Sequence, residues 1–510
     1  MPYSLFKQRI IVTGLILGLL LASIEQTVVT TAMPTIVKEL GGLSDYSWVF
    51  SIYMLTSTAS MPLYGKLADV YGRKTMYIIG MLLFLAGSVL CGLSTGMTGL
   101  IVSRGIQGIG AGALMPIAFT IMADLFPPEQ RGKFMGTFSA VFTLASLLGP
   151  TVGGILVQYA HWSSVFYLNL PIGIPALLLI AFSLKERTGS EQRHVDWFGA
   201  ITFTSAIVAV LLALVLGGEP HAGAAGSGWL SAPVIGLLSA GVLLLCLFLW
   251  METKVKEPLI PLALFRHRLI ASSSITGFLI SAAMFGAIAY IPLYVQGVIG
   301  FSPSAAGYTL TPLMLASAIT STLCGRLMSK LSYRSILIPS FLLMAAGFCL
   351  LSRMTIETTM TQIVITLILT GLGMGAVFPA LGTAAQSAVE WNMRGVATSM
   401  SQFCRSIGGT IGVSVLGALL AARTASGLLQ GGRSIPADQV QQYANPQLLL
   451  DAGARAALPQ PILESLQLVF SDALQAVFAA GAVCVVLALA ASLWMGNHRL
   501  VQPSSDKKSA

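Results

Sequence analysis

The chain is written as long apolar runs of about 20 residues, separated by short polar stretches. A run of that length covers roughly 30 Å of hydrocarbon as a helix. The pattern predicts fourteen such helices, near residues 10–36, 47–68, 76–95, 99–123, 134–158, 164–184, 197–216, 229–250, 270–296, 305–328, 335–352, 360–388, 396–421 and 469–495. The first run is too long for the apolar core of a cleavable signal and lacks a small-residue cleavage site, so it is expected to remain as the first span.

Composition agrees with this reading. Hydrophobic residues make up 55% of the chain and charged residues 9%, with mean hydropathy +0.82; soluble proteins carry about 25% charged residues. The expected fold class is an all-α membrane protein. An even number of spans returns both ends to one side. If that side is the cytoplasm, 21 of the 28 Lys and Arg lie in inner loops and tails, among them Lys66, Arg73, Lys74, Arg131, Lys133, Lys185, Arg187, Arg266, Arg268, Arg326, Lys330 and Arg334. Five lie in outer loops, and Arg104 and Arg405 fall inside spans. This is the positive-inside pattern. It predicts a multi-pass protein of the cell's cytoplasmic membrane with both termini cytoplasmic. The net charge of +9 is thus an orientation signal, not a nucleic-acid surface.

Two stretches align without gaps at an offset of 263 residues: GIGAGALMPIAFTIMADLFPPEQRG (108–132) and GLGMGAVFPALGTAAQSAVEWNMRG (371–395). They share glycines at 108/371, 110/373 and 112/375, prolines at 116/379 and the Arg-Gly pairs 131/394 and 132/395. GKLADVYGRK (65–74) and GRLMSKLSYR (325–334) repeat at an offset of 260. The expected organisation is a six-helix bundle (1–190), two inserted helices with linkers (191–262) and a second six-helix bundle (263–497). The last contains a long outer loop (423–468), and a cytoplasmic tail (498–510) follows. Two similar bundles about a midplane site are the architecture of many secondary transporters.

Several motifs carry a family resemblance over nearly the whole chain. GKLADVYGRK, with Gly65, Asp69, Gly72 and Arg73, resembles the loop motif between spans 2 and 3 of the major facilitator superfamily. RGIQGIGAGA (104–113) resembles its span-4 motif. LLGPTVGGIL (147–156), with Gly149, Pro150, Gly153 and Gly154, resembles the span-5 antiporter motif. IEQTVVTTAMPTI (24–36) resembles the span-1 motif of the fourteen-span drug:proton antiporter branch, which has Asp where Glu25 sits and Asn where Thr30 sits. WSSVFYLNLPIG (162–173) and PLIPLALFRHR (258–268) are similar to further motifs of that branch. The resemblance implies multidrug efflux, of the kind that confers antibiotic resistance, driven by a proton gradient without a cofactor. It also implies a gating role for the 65–74 loop, and it ties the span-5 element to exchangers that must not leak.

The residues themselves say how. Glu25 is the only charge between Arg9 and Lys38, about 15 residues into the first span and so roughly 22 Å deep. Arg104 lies at a matching depth on span 4. Burial favours a protonated carboxyl and a nearby guanidinium favours the charged one, so a mobile Arg104 would make Glu25 a switchable proton carrier that competes with substrate. The alternative is a fixed ion pair that only orders the bundle. Arg405 is also near mid-membrane, and its counterpart in the first half is Phe142. It is expected either to stabilise an anionic intermediate or to hold a carbonyl or lipid headgroup. Asp69 and Arg73 can form an inter-helix or inter-domain ion pair that breaks on opening. Asp124, Glu129 and Arg131 either complete that network or are ordinary solvated charges. In the second copy Ser329 replaces the aspartate, which predicts a one-sided latch. The span-5 glycines permit close helix packing. Tyr53, Phe119, Tyr290 and Phe378 are candidates for stacking on lipophilic cations, with ordinary packing as the alternative. The loop 423–468 is expected to be a tolerated surface insertion, with a cap on the exit or contact with envelope lipids as the alternatives.

Other chemistries are disfavoured. The five histidines are scattered, and no Ser or Cys has a base nearby. The six cysteines (Cys91, Cys246, Cys324, Cys349, Cys404 and Cys484) form neither a CxxC nor a Cys/His cluster, and no GxxxxGK[ST] loop for ATP occurs. The chain is therefore expected to be a carrier and not an enzyme, with a channel or sensor as the less favoured alternative. Its expected partners are protons, membrane lipids and amphipathic substrates, cationic ones above all; an endogenous lipid or other amphiphile is the alternative cargo.

Overall fold

The computed structural model describes residues 4–41, 45–126, 128–185, 196–218, 229, 231–255, 258–301, 306, 308–328, 330–431, 455 and 458–496. Among the described residues the secondary structure is helical, as hydrocarbon requires of a segment that must satisfy its own backbone. The first half comprises α1 (Leu5–Leu40), α2 (Tyr46–Tyr71), α3 (Arg73–Gly92), α4 (Met97–Leu125), α5 (Pro128–Tyr159), the one-turn α6 (Ser164–Tyr167) and α7 (Asn169–Ser183). A hairpin of α8 (Trp197–Gly218) and α9 (Ala232–Glu252) follows. The second half comprises α10 (Arg268–Tyr294), α11 (Thr311–Leu327), α12 (Tyr333–Leu351), α13 (Met360–Ser387), α14 (Arg394–Gly431) and α15 (Gln460–Leu493).

Among the described residues eleven segments, with α6 and α7 taken together, are long and apolar enough to cross a membrane. The chain is a multi-pass membrane protein. The fourteen expected spans are not all matched on that measure: α2, α5 and α11 are helical but fall outside it. α2 is rich in hydroxyls, and α11 has only 17 residues.

The duplication is visible in the packing. Gly108 and Gly112 of α4 lie against the α2 backbone at Tyr53 and Ser57, while Gly110 faces Gly80 and Phe84 of α3. In the second half Gly371 and Gly375 of α13 lie against α11 at Leu313 and Ser317, and Gly373 faces Ser340 and Met344 of α12. A side chain at any of these six positions would collide with the neighbouring helix. The alternating glycines thus let one helix approach two partners at backbone distance, which is how helices associate where lipid is as apolar as leucine. The halves meet through equivalent seams, α2 on α14 and α5 on α11.

The inserted hairpin leans on the first of these seams. Phe203 of α8 packs on Phe248 of α9 at 4.9 Å and on Phe403 of α14 at 5.2 Å between ring centroids. At one end Lys66 Nζ donates to the Pro258 carbonyl at 2.9 Å, and Ile260 N–H donates to Glu252 Oε1. Asp196 Oδ1 accepts Gly199 N–H at 2.9 Å. Among the described residues Asp196 Oδ2 and Glu252 Oε2 are buried without a hydrogen-bond donor, and they converge on the space above Gly199.

The loop 423–468 is smaller than expected. Residues 423–431 extend α14 and 460–468 belong to α15. Arg455 is seated on the frayed end of α10, where a π turn (Val295–Ile299) leaves carbonyls unpaired; its Nη1 donates to Gln296 O at 2.9 Å and Gly297 O at 3.3 Å. Partial burial pulls its guanidinium below the ordinary value. The tail 498–510 and Ser329 lie outside the described residues, as do the side chains of Glu129, Arg131, Phe142 and Pro150.

Candidate functional site

Glu25 and Arg104 are each 1% exposed, and they meet. Arg104 Nη1 pairs with Glu25 Oε1 and also donates to Gln107 Oε1 at 2.6 Å, while Nε donates to the Val49 carbonyl at 3.2 Å. Tyr53 lies under the guanidinium at 4.2 Å, and Phe166 is 6.0 Å away. The second carboxylate oxygen accepts from Asn169 Nδ2, which also donates to Ser88 Oγ at 2.8 Å. Gln107 Nε2 closes the network on the same hydroxyl at 2.7 Å. Five polar side chains from α1, α3, α4 and α7 thus form one buried cluster. Each carboxylate oxygen has a donor, as a buried charge requires if it is to remain charged.

The chain reaches this arrangement through small residues. In α5 a side chain at Gly149 would strike Thr27 of α1, and one at Gly153 would strike Thr31 and the Val28 carbonyl. These two glycines bring α5 against α1 on the turns following Glu25. Gly154 faces open space, so the close packing expected of it belongs to Gly153 instead.

A second constellation ties the halves together at the turn between α2 and α3. Gly72 has φ +97°, a left-handed conformation that glycine adopts without steric cost. The Asp69 carboxylate accepts from Gly395 N–H at 3.1 Å and Val396 N–H at 2.9 Å, so an acid of the first half caps the N-terminus of α14 in the second. Arg73 Nη2 bonds Asp69 Oδ1 at 3.3 Å and the Trp391 carbonyl at 2.8 Å, and the guanidinium lies 4.6 Å from the Trp391 ring. Asp124 bridges Arg73 and Arg394, the latter at 3.4 Å. Gly65 lets α2 reach α14: a side chain there would meet Ser399 and the Gly395 carbonyl. On this side the halves are closed on one another.

The remaining candidates sit apart. Arg405 Nη1 donates to Gln402 Oε1 at 2.6 Å, and its Cζ lies 3.8 Å from the Phe378 ring. Tyr290 donates to the Val413 carbonyl at 2.9 Å. Phe119 packs on Phe138 at 5.4 Å, about 22 Å along α4 from Arg104. Ser88, Gln107 and Asn169 were not singled out from the sequence. Two of them stand inside quoted motifs, Gln107 in RGIQGIGAGA and Asn169 in WSSVFYLNLPIG, and an uncharged polar residue in an apolar span was the available signal.

Comparison with known proteins bears on what such a constellation is for. Residues 15–413 match the profile of the Major Facilitator Superfamily. The chain is 40% identical over 494 residues to the multidrug transporter protein MdtP of Bacillus subtilis (strain 168), covering 96% of this chain and 89% of the relative. It is 38% identical over 506 residues to multidrug resistance protein 3 of the same organism, covering 98% of each. Among solved structures, the human organic anion transporter MFSD10 (TETRAN) superposes with a TM-score of 0.60 at 17% identity, covering 94% of this chain and 99% of that one. A bacterial homologue of the human lysosomal transporter Spinster, inward-facing and occupied, gives 0.56 at 19% identity, covering 98% and 100%. At those identities the likeness is one of fold.

Proposed function

The chain belongs to the Major Facilitator Superfamily, a family of transporters and not of enzymes, and from that premise we propose that it exports lipophilic drugs and toxic compounds across the cytoplasmic membrane in exchange for protons. The observation that carries this reading is the Glu25–Arg104–Asn169 cluster, buried between helices of one half while the latch at Asp69 closes that half on the other. All fourteen long helices, with α6–α7 as one, cross the bilayer, and both termini and the latch are cytoplasmic. This geometry is then the state closed to the cytoplasm. Protonation of Glu25 from outside removes the charge that holds Arg104. The freed guanidinium turns to its neutral partners Gln107 and the Val49 carbonyl, and the latch gives way as the halves rock. Release of the proton inside restores the pair. A monovalent cation exchanged for one proton moves no net charge; a neutral compound exchanged for one gains about 2.3 kcal/mol per 100 mV from the membrane potential.

Inverted vesicles loaded with the chain provide the test. A proton gradient should drive saturable uptake of a lipophilic dye, an uncoupler should abolish it, and Glu25→Gln should abolish gradient-driven uptake while leaving dye-for-dye exchange. Uptake by Glu25→Gln that still follows the gradient would overturn the assignment. A second reading, export of a lipid or other endogenous amphiphile, is favoured by Arg405, whose charge no acid among the described residues offsets.

A further inference from the structure

Arg405 differs from the other arginine inside a span in what surrounds it. Arg104 has a carboxylate, an amide and a carbonyl as partners. Arg405 has one neutral acceptor, Gln402 Oε1 on its Nη1, and an aromatic face, Phe378. Its nearest charged neighbours along α14 are Arg394 and Arg423, roughly 16 and 27 Å away at 1.5 Å per residue. Neither can neutralise it. Among the described residues its Nε is buried with no acceptor.

The shape of a guanidinium decides what is missing. The group is planar, and Nε–H shares one edge with an N–H of Nη2, two parallel donors spaced for the two oxygens of a carboxylate or phosphate. Gln402 occupies the other end of the plane, and Phe378 covers a face at 3.8 Å. The position where a Gly277 side chain would begin is 3.4 Å from Arg405 Cγ, so α10 confines the stem. The cation is therefore held on three sides with its double-donor edge unfilled. A buried guanidinium without a counter-ion is costly, and a neutral carbonyl would leave both the charge and one donor unmet. An oxyanion meets both. The deep acid Glu25 is already committed to Arg104, and the apolar groups around Arg405, Phe378 on its face and Leu381 near its stem, suit a hydrocarbon tail.

We propose that the Nε/Nη2 edge of Arg405 is an oxyanion subsite that takes the carboxylate or phosphate head of an amphipathic compound. This rests on the reading that cargo enters between the two halves. It adds that cargo with an acidic head is preferred there over a chain-matched cation.

Equilibrium binding to the purified full-length chain in phosphatidylcholine nanodiscs tests this without any proton gradient, so a failure of proton coupling leaves the result untouched. The probes are dansyl-undecanoic acid, dansyl-undecanol and dansyl-undecylamine, followed by dansyl fluorescence. The acid should bind about tenfold more tightly than the alcohol, and the amine more weakly than both. Arg405→Gln should bring the acid down to the alcohol's affinity and leave the alcohol unchanged. Arg405→Lys, which keeps the charge but loses the paired donors, should fall between; it also serves where Arg405→Gln does not fold. Nanodiscs containing phosphatidylglycerol separate two sources of the anion. Loss of acid binding there makes a lipid phosphate the occupant, and retained binding makes it a free amphiphile. Equal affinity of wild type for acid and alcohol, an acid preference that survives Arg405→Gln or Arg405→Lys in full, or no saturable acid binding in either lipid would overturn the proposal.

Discussion

The Asp69 carboxylate of α2 accepts the backbone N–H of Val396, in the first turn of α14, at 2.9 Å. One acid of the first half thereby completes a helix of the second. The bond uses a helix N-terminus, where two unpaired donors and the macrodipole both favour a negative charge. It exists only while the halves touch, so its free energy acts directly on the balance between closed and open forms.

Asp69→Ala should therefore shift that balance. Loss of a capping side chain costs about 1–2 kcal/mol, or roughly a 5- to 30-fold change in the closed-to-open ratio, and it also leaves Arg73 with one acceptor fewer. Hydrogen–deuterium exchange of the amides at 394–398 should accelerate by a similar factor, with exchange in α7 and α12 unchanged. Unaltered exchange at 394–398 would mean that the contact does not govern closure.

A side chain at Gly65 should prevent the same closure by bulk. Its first carbon would meet the Ser399 side chain and, at 2.9 Å, the Gly395 carbonyl. Gly65→Val should hold the faces apart and make a cysteine placed at Ser399 react faster with a water-soluble maleimide. Ser399→Gly in the same chain should recover part of the dye export lost in Gly65→Val, because it removes the side-chain obstacle and leaves the carbonyl. No recovery would place the obstruction elsewhere.

Asn169→Ala probes the deep cluster without touching a charge. Asn169 Nδ2 serves both Glu25 and Ser88, so its removal leaves a buried carboxylate oxygen with no donor, a loss of about 1–3 kcal/mol. The thermal midpoint of the purified chain should fall, and gradient-driven export should suffer more than dye-for-dye exchange. Ser88→Ala should show the thermal loss as well, since its hydroxyl accepts from Asn169 and Gln107 together.

These predictions divide along what a sequence can carry. The Glu25–Arg104 contact was legible because a lone charge in an apolar run must be answered at its own depth, and depth follows from counting residues. The internal repeat was legible because glycines at 108, 110 and 112 recur at 371, 373 and 375, where two neighbouring helices demand them. The pairing of Asp69 with Arg73 was legible too, but its backbone partners were not, since N–H groups at 395 and 396 leave no mark in residue identity. Asn169, Gln107 and Ser88 are single polar residues on three helices, and their convergence depends on helix rotation, which a run with little amphipathic contrast does not specify. The count of spans was blurred for a similar reason. α2 is hydroxyl-rich because it packs on α4 and α14 more than on lipid, so apolarity understates it.

The inserted hairpin carries the last test. Among the described residues Asp196 Oδ2 and Glu252 Oε2 are buried without donors and face the same space above Gly199; Lys66 donates to the Pro258 carbonyl, and its charge also acts on Glu252. Two carboxylates so placed repel one another. Glu252→Gln puts a permanent donor there: its carbonyl oxygen can keep the Ile260 N–H, and its amide can donate to Asp196. The purified variant should melt higher than wild type. Asp196→Asn should behave alike, and the double variant should gain no more than either single one, since one donor already satisfies the pair. A midpoint that drops in both single variants would mean that a group other than the two acids sets the balance there.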